Sequence, residues 1–197
     1  MEFIELWQQK TKVAEGCPFD ALQDLSSLTY DIILAAAVGL DDSESETVLH
    51  LQRLRGGHVS SFLPNDKDAL FPFPDPELSD LQHALHVIAR STGASFTQPS
   101  QRIFHFFNNR TASMKKAYSS KETILQSYID QSSQRLAEEG ANFTPKSAVD
   151  YIVSREIDMA KKAGRAPALA SPRLNDIVFG YLIGGQDSTH STLSFRK

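Results

Sequence analysis

Cysteine is almost missing from the chain: Cys17 is the only one in 197 residues. No internal disulfide framework can form, so packing must hold the fold, and the composition fits a reducing compartment. A surplus of basic charge is missing too. The 20 Lys and Arg are outnumbered by 24 Asp and Glu, giving a net charge of −4. A nucleic-acid partner would call for a basic stripe, so none is expected. The opening MEFIELWQQKTK lacks the apolar stretch of a signal peptide. The longest unbroken apolar run, Ile32 to Val38, is too short to cross a bilayer. There is no strand pair with hairpin chemistry, no internal repeat and no Gly-x-Ser-x-Gly elbow. The expectation is a soluble, cytosol-facing chain.

What is present reads as helix almost throughout, in one all-α region spanning 1–197. DLSSLTYDIILAAAVGL offers Ser and Thr as N-caps, a solid apolar run, and Gly39 as a stop, which predicts a helix buried on all sides. FPFPDPE, with Pro72, Pro74 and Pro76 alternating, predicts an extended loop. Leu78, Leu81, Leu85 and Ile88 recur at helical spacing and predict an amphipathic helix. TGASFTQPSQ reads as a loop, and IFHFF after it as an aromatic patch of local core. A long polar helix should end at Gly140 and another at Gly164.

The last segment, DIVFGYLIGGQDSTHSTLSF (Asp176 to Phe195), is a damaged helix. Glycine inside a helix costs roughly 1 kcal/mol relative to alanine. Here two stand together, followed at once by an acid and hydroxyls. At roughly 100° per residue, Tyr181, Gly184, Ser188 and Thr192 share one face. Ser188 can bond back to the Gly184 carbonyl, which loosens the local ladder. The pattern describes a helix that lets a flat or small ligand reach its backbone. Val178, Phe179, Leu182 and Ile183 form the apolar approach, and Asp187 and Ser188 stand ready to move protons.

GGQDST resembles the (Ala/Gly)-Gly-x-(Asp/Glu)-Thr-(Thr/Ser) signature in the long central helix of cytochrome P-450 heme-thiolate monooxygenases. VDYIVSREIDMAKKAGRAP resembles the preceding helix and connector of fungal members, and PFDALQDLSSLTYDIILAAAVG an earlier helix. The likeness is weakest between about residues 42 and 120. It implies a partial fold of that family, limited to central helices and ending within the oxygen-binding helix. It implies heme as cofactor, an apolar small-molecule substrate and an electron-donating reductase. The full-length family is expected at the endoplasmic reticulum membrane. Gly184 and Gly185 would lie over the heme face, and Asp187 and Ser188 would deliver protons to bound oxygen. Threonine is usual at Ser188; serine keeps the hydroxyl and loses the β-branch that fixes it. Tyr181 and Ile183 would line the substrate pocket. The segment 102–107 resembles the part of the family near the membrane surface.

The family fixes iron with a cysteine thiolate in a Phe-x-x-Gly-x-Arg-x-Cys-x-Gly loop. Around Cys17 the corresponding positions are Lys10, Val13, Glu15 and Phe19, and none matches. No glutamate here has arginine three residues later, so the Glu-x-x-Arg helix of the heme core is missing as well. The expectation is a fragment inactive by itself, unable to hold heme stably. The competing reading is a helical interaction module, or a gene remnant, without chemistry. Asp187, Ser188 and His190 do not make a hydrolase triad, because they point in different directions from one helix. His83 and His86 stand at a spacing that metals use, but read more simply as solvated.

Overall fold

The computed structural model describes residues 2–40, 45–56, 64, 66, 68–74 and 78–193, with side chains in the last helix described as far as Gln186. Among the described residues there are eight α-helices and no strand, so the all-α class holds. The helices are α1 (Glu2–Val13), α2 (Leu22–Val38), α3 (Glu46–Arg55), α4 (Asp80–Ser95), α5 (Gln101–Asn108), α6 (Ala112–Glu139), α7 (Ala148–Lys162) and α8 (Pro172–Leu193). Local chemistry explains most starts and stops. Ser45, Ser79, Ser100, Thr111 and Ser147 each stand at an N-cap and accept a bond from a first-turn amide. Gly39, Gly140 and Gly164 have φ of 75°, 52° and 64° just past helices, a left-handed conformation that costs glycine little.

The described residues group into two compact units. One holds α1, α3 and α2 as far as Ala35. Its apolar centre is Leu6, Leu51 and Leu54, flanked by Phe3, Trp7 and Phe73. The FPFP stretch is irregular over 71–74, as the alternating prolines require; Pro76 lies outside the described residues. It is pinned where Phe71 N donates to the Pro18 carbonyl at 2.7 Å. Phe73 stacks edge-on against Phe19, with ring centroids 5.6 Å apart.

Two expectations for α2 are corrected. Its start is Leu22, because Asp20 Oδ1 already accepts from Leu22 N at 2.9 Å. The serines and threonine expected as caps therefore fall inside the helix, where Thr29 Oγ1 bonds back to the Leu25 carbonyl. Nor is α2 buried on all sides. Tyr30, Leu34 and Ala37 face the interior, whereas Ile32 is 49% exposed and Ala35 and Ala36 are exposed. Further along, Asp31 receives Glu46 N at 2.8 Å and Thr47 N at 3.0 Å. Its charge thus meets the positive end of α3.

The second unit holds α4 to α7 and α8 as far as Gly185. Ala84 and Ile88 of α4 meet Met114 and Ala117 of α6, with Phe179 and Ile183 of α8 against them. Leu81, Leu85 and Ile88 are buried, as their spacing predicts, while Leu78 precedes the helix. The helix runs on to Ser95, beyond the start of the loop that TGASFTQPSQ predicts at Thr92. Thr92 Oγ1 and Ser95 Oγ instead bond back to the carbonyls of Ile88 and Thr92, and the ladder carries past Gly93.

Candidate functional site

The site is built on α8. Pro172 stands in its first turn, where its missing N–H costs nothing. The Ser171 carbonyl accepts from Leu174 N at 3.0 Å. From there one stripe points inward: Leu174, Val178, Leu182 and Gln186, spaced four apart, are all buried. The opposite side is open, with Ile177 47% and Tyr181 49% exposed. Gly180 and Gly184 share that exposed side, and a Cβ added at either would meet nothing within 4 Å. Nothing in the described packing calls for glycine at these positions.

The residues singled out in the sequence therefore divide. Tyr181 and Gly184 stand together on the open face, and Gly185 beside them is half-buried. Ile183 points elsewhere, packed against the cluster of Ala84, Ile88, Met114 and Ala117. Val178, Phe179 and Leu182, read as an apolar approach, belong to packing as well: two are fully buried and Phe179 lies against the same cluster. Their spacing of three and four fits a core stripe as well as a lining. Asp187 and Ser188 continue the helix, but their side chains lie outside the described residues, as do those of His190 and Thr192. Gly180, on the same open side, stands at Gly-x-x-x-Gly spacing from Gly184.

Polar contacts hold the first half of α8 against α6. Lys121 Nζ donates to Asp176 Oδ1 at 3.1 Å and lies 4.8 Å from the ring centroid of Phe179. Asn175 Nδ2 donates to Gln126 Oε1 at 3.5 Å, and Gln126 Nε2 reaches the Leu169 carbonyl at 3.4 Å.

The IFHFF patch is a correction. It forms most of α5, in which no residue is buried, and Ile103, Phe106 and Phe107 are 61%, 55% and 66% exposed. At roughly 100° per residue Ile103, Phe104, Phe106 and Phe107 gather on one side of the helix, and no core covers that side. A shallow cavity of about 530 Å³ beside it is lined by Pro99, Ile103, Phe104 and Phe107, among others. His83 and His86 are both exposed on α4.

Comparison with known proteins adds the decisive observation. The chain is 27% identical over 198 residues to the cytochrome P450 monooxygenase xilC of Penicillium rubens, covering 98% of this chain and 33% of that protein. It is 25% identical over 199 residues to the cytochrome P450 monooxygenase TRI13 of Fusarium sporotrichioides, with 98% and 34% covered. A cytochrome P450 monooxygenase of Dothistroma septosporum, cyp3.1 of its Hps1-dma1 cluster, is 35% identical over 83 residues, 40% of this chain and 26% of that protein. The chain is similar to fungal cytochrome P450 monooxygenases over nearly its whole length. It spans about a third of the length of the curated P450s that it matches end to end. No family model matches, and no solved structure does. Among the described residues no helix is long and apolar enough to cross a membrane. Cys17 is half-buried and free, on the connection between α1 and α2.

Proposed function

We propose that residues 1–197 are one partial helical domain of a heme-dependent monooxygenase that hydroxylates an apolar small molecule, using dioxygen and electrons from a reductase. The observation that carries this reading is α8: GGQDST follows an open helix face, in a chain that matches P450 monooxygenases over 98% of its length. A Cβ at Gly180 or Gly184 on that face would meet nothing within 4 Å among the described residues, which supports their leaving room for something flat.

Heme, when bound, supplies the oxygen chemistry. The chain's own residues supply a wall and a proton path. Gly184 and Gly185 keep side chains away from the wall. Asp187 takes protons from solvent, and the Ser188 hydroxyl holds a water and passes them on. Tyr181, on the open face, lines the substrate side, and Ile183 supports it from the packed side. None of these can ligate iron as a thiolate, and the surroundings of Cys17 do not match the family's cysteine loop. The chain alone therefore neither holds heme stably nor oxygenates. The open aromatic face of α5, flanked by Arg102 and Arg110, favours a second role: contact with the endoplasmic reticulum membrane surface beside which the whole enzyme works.

Two experiments test the reading. Titrating the purified chain with heme should give neither stoichiometric binding nor a thiolate-type Soret band; such a band would overturn the claim of inactivity. In the enzyme made from the longest transcript of this locus, Asp187→Asn and Ser188→Ala should each lower product formation and divert reducing equivalents to peroxide. Product formation at the unmutated level in both variants would leave an interaction module as the better description.

A further inference from the structure

The unit built from α1, α2 and α3 contains a buried charged cluster that the oxygen chemistry of α8 does not use. Lys10 of α1, Asp24 of α2 and His50 of α3 are 2%, 0% and 4% exposed. Asp24 Oδ1 receives Lys10 Nζ at 2.6 Å, and Asp24 Oδ2 receives Trp7 Nε1 at 3.1 Å. The Lys10 ammonium also lies 4.8 Å from the Phe73 ring centroid. His50 Nδ1 stops 3.6 Å from Asp24 Oδ1 and has no hydrogen-bond partner among the described residues. The carboxylate of α2 is thus bonded twice to α1, and the imidazole of α3 is packed beside it without a hydrogen bond.

We propose that Lys10, Asp24 and His50 form an acid-sensitive latch on α1, α2 and α3, closed while His50 is neutral and released when it gains a proton. The Asp24 charge is already met by Lys10, so a protonated His50 would be a second buried cation facing the first. Arg53, on the same helix as His50, adds to the repulsion. Buried charge without its own counter-ion is costly, and opening the cluster to water removes the cost. Burial, then Lys10, hold the His50 pKa below the ordinary 6.5, against the pull of Asp24. A depressed histidine gives stability that is present above the unfolded value and is lost as pH falls below it.

The chain carries a reporter, since Trp7 is its only tryptophan and is bonded to Asp24. Lowering pH from about 7.5 to about 5 should shift its emission to longer wavelength, reversibly. His50→Gln should move the midpoint down by at least about one pH unit, because the titrating group is gone. His83→Gln, on an exposed face, should leave it in place. An emission that does not move over this range overturns the proposal. So does an unchanged midpoint in His50→Gln, or an equal shift in His83→Gln. Should His50→Gln not fold, proton NMR of the unmutated chain decides. The His50 ring must titrate together with the change in Trp7 emission and below the ordinary 6.5; a midpoint at or above that value overturns the latch.

Discussion

Lys121 Nζ lies 3.1 Å from Asp176 Oδ1, yet the two side chains live in different media, the lysine 5% exposed and the aspartate 69%. Water screens the carboxylate, so the pair gains little from its charge. The ammonium also lies 4.8 Å from the Phe179 ring centroid and 5.6 Å from that of Tyr118, and the lysine stem is packed beneath it.

Removing the carboxylate should therefore matter less than removing the lysine. Asp176→Asn is expected to cost under about 1 kcal/mol, and Lys121→Ala about 2–3 kcal/mol, because packed methylenes are lost with the cation. Urea unfolding of the chain measures both. A larger loss for Asp176→Asn would mean that the ion pair, rather than the ring contacts, anchors the start of α8.

Asp150 should be the acid-labile joint between α6 and α7. Its fully buried carboxylate accepts from Ser132 Oγ at 2.6 Å and from the amides of Lys146 at 2.9 Å and Ser147 at 3.2 Å, and it pairs with Arg135. Burial opposes its ionisation, but the bonds from Ser132, Lys146 and Arg135 prevail and hold its pKa below the ordinary 3.8. The folded state then binds fewer protons than the unfolded one. Stability from Asp150 is complete above the unfolded value and is lost as pH falls through the lower folded one. Asp150→Asn should cost about 2–4 kcal/mol at neutral pH and flatten the acid limb of a stability-against-pH curve. A curve of unchanged shape would refute the assignment.

Gln82 should be replaceable at a gain. It is 1% exposed in α4, and among the described residues neither its amide oxygen nor its nitrogen has a hydrogen-bond partner. A buried amide without partners keeps its desolvation cost, whereas methionine of similar shape has none. Gln82→Met is expected to stabilise the chain by about 1 kcal/mol, seen as a higher urea midpoint with an unchanged slope. A lower midpoint would show that the amide is satisfied in solution.

Much of this architecture was legible because it depends on neighbours in sequence. Gly140 ends α6, Gly164 follows α7, and the Leu81–Leu85–Ile88 stripe places α4. The errors arose where a competing local bond or distant packing decided. Asp20 took the cap that the α2 serines were expected to supply, and the packing that leaves Ile32 outside cannot be read from an unbroken apolar run. For the candidate site, the glycines and their open face were legible from the cost of glycine in a helix. The inward turn of Ile183 was not, because a lining stripe and a core stripe have the same period. The Lys10–Asp24–His50 cluster gave no signal at all: its members come from three helices with no common motif.

The last prediction separates what the glycines cost from what they are for. Gly184 is exposed and helical, its φ is not among the positive ones, and an added Cβ meets nothing within 4 Å. Gly184→Ala should raise the stability of the 197-residue chain by about 0.5–1 kcal/mol, because alanine has less backbone freedom to lose. Gly140→Ala, at φ 52°, should do the reverse, since there the side chain meets a strained backbone. In a monooxygenase of the kind proposed, Gly184→Ala should lower product formed per electron consumed, as a methyl group now occupies space that the proposed function reserves for heme and dioxygen. Stability rising while coupling falls is the pattern of a residue kept for function at a structural cost. Coupling that stays unchanged would mean that the open face of α8 serves some other contact.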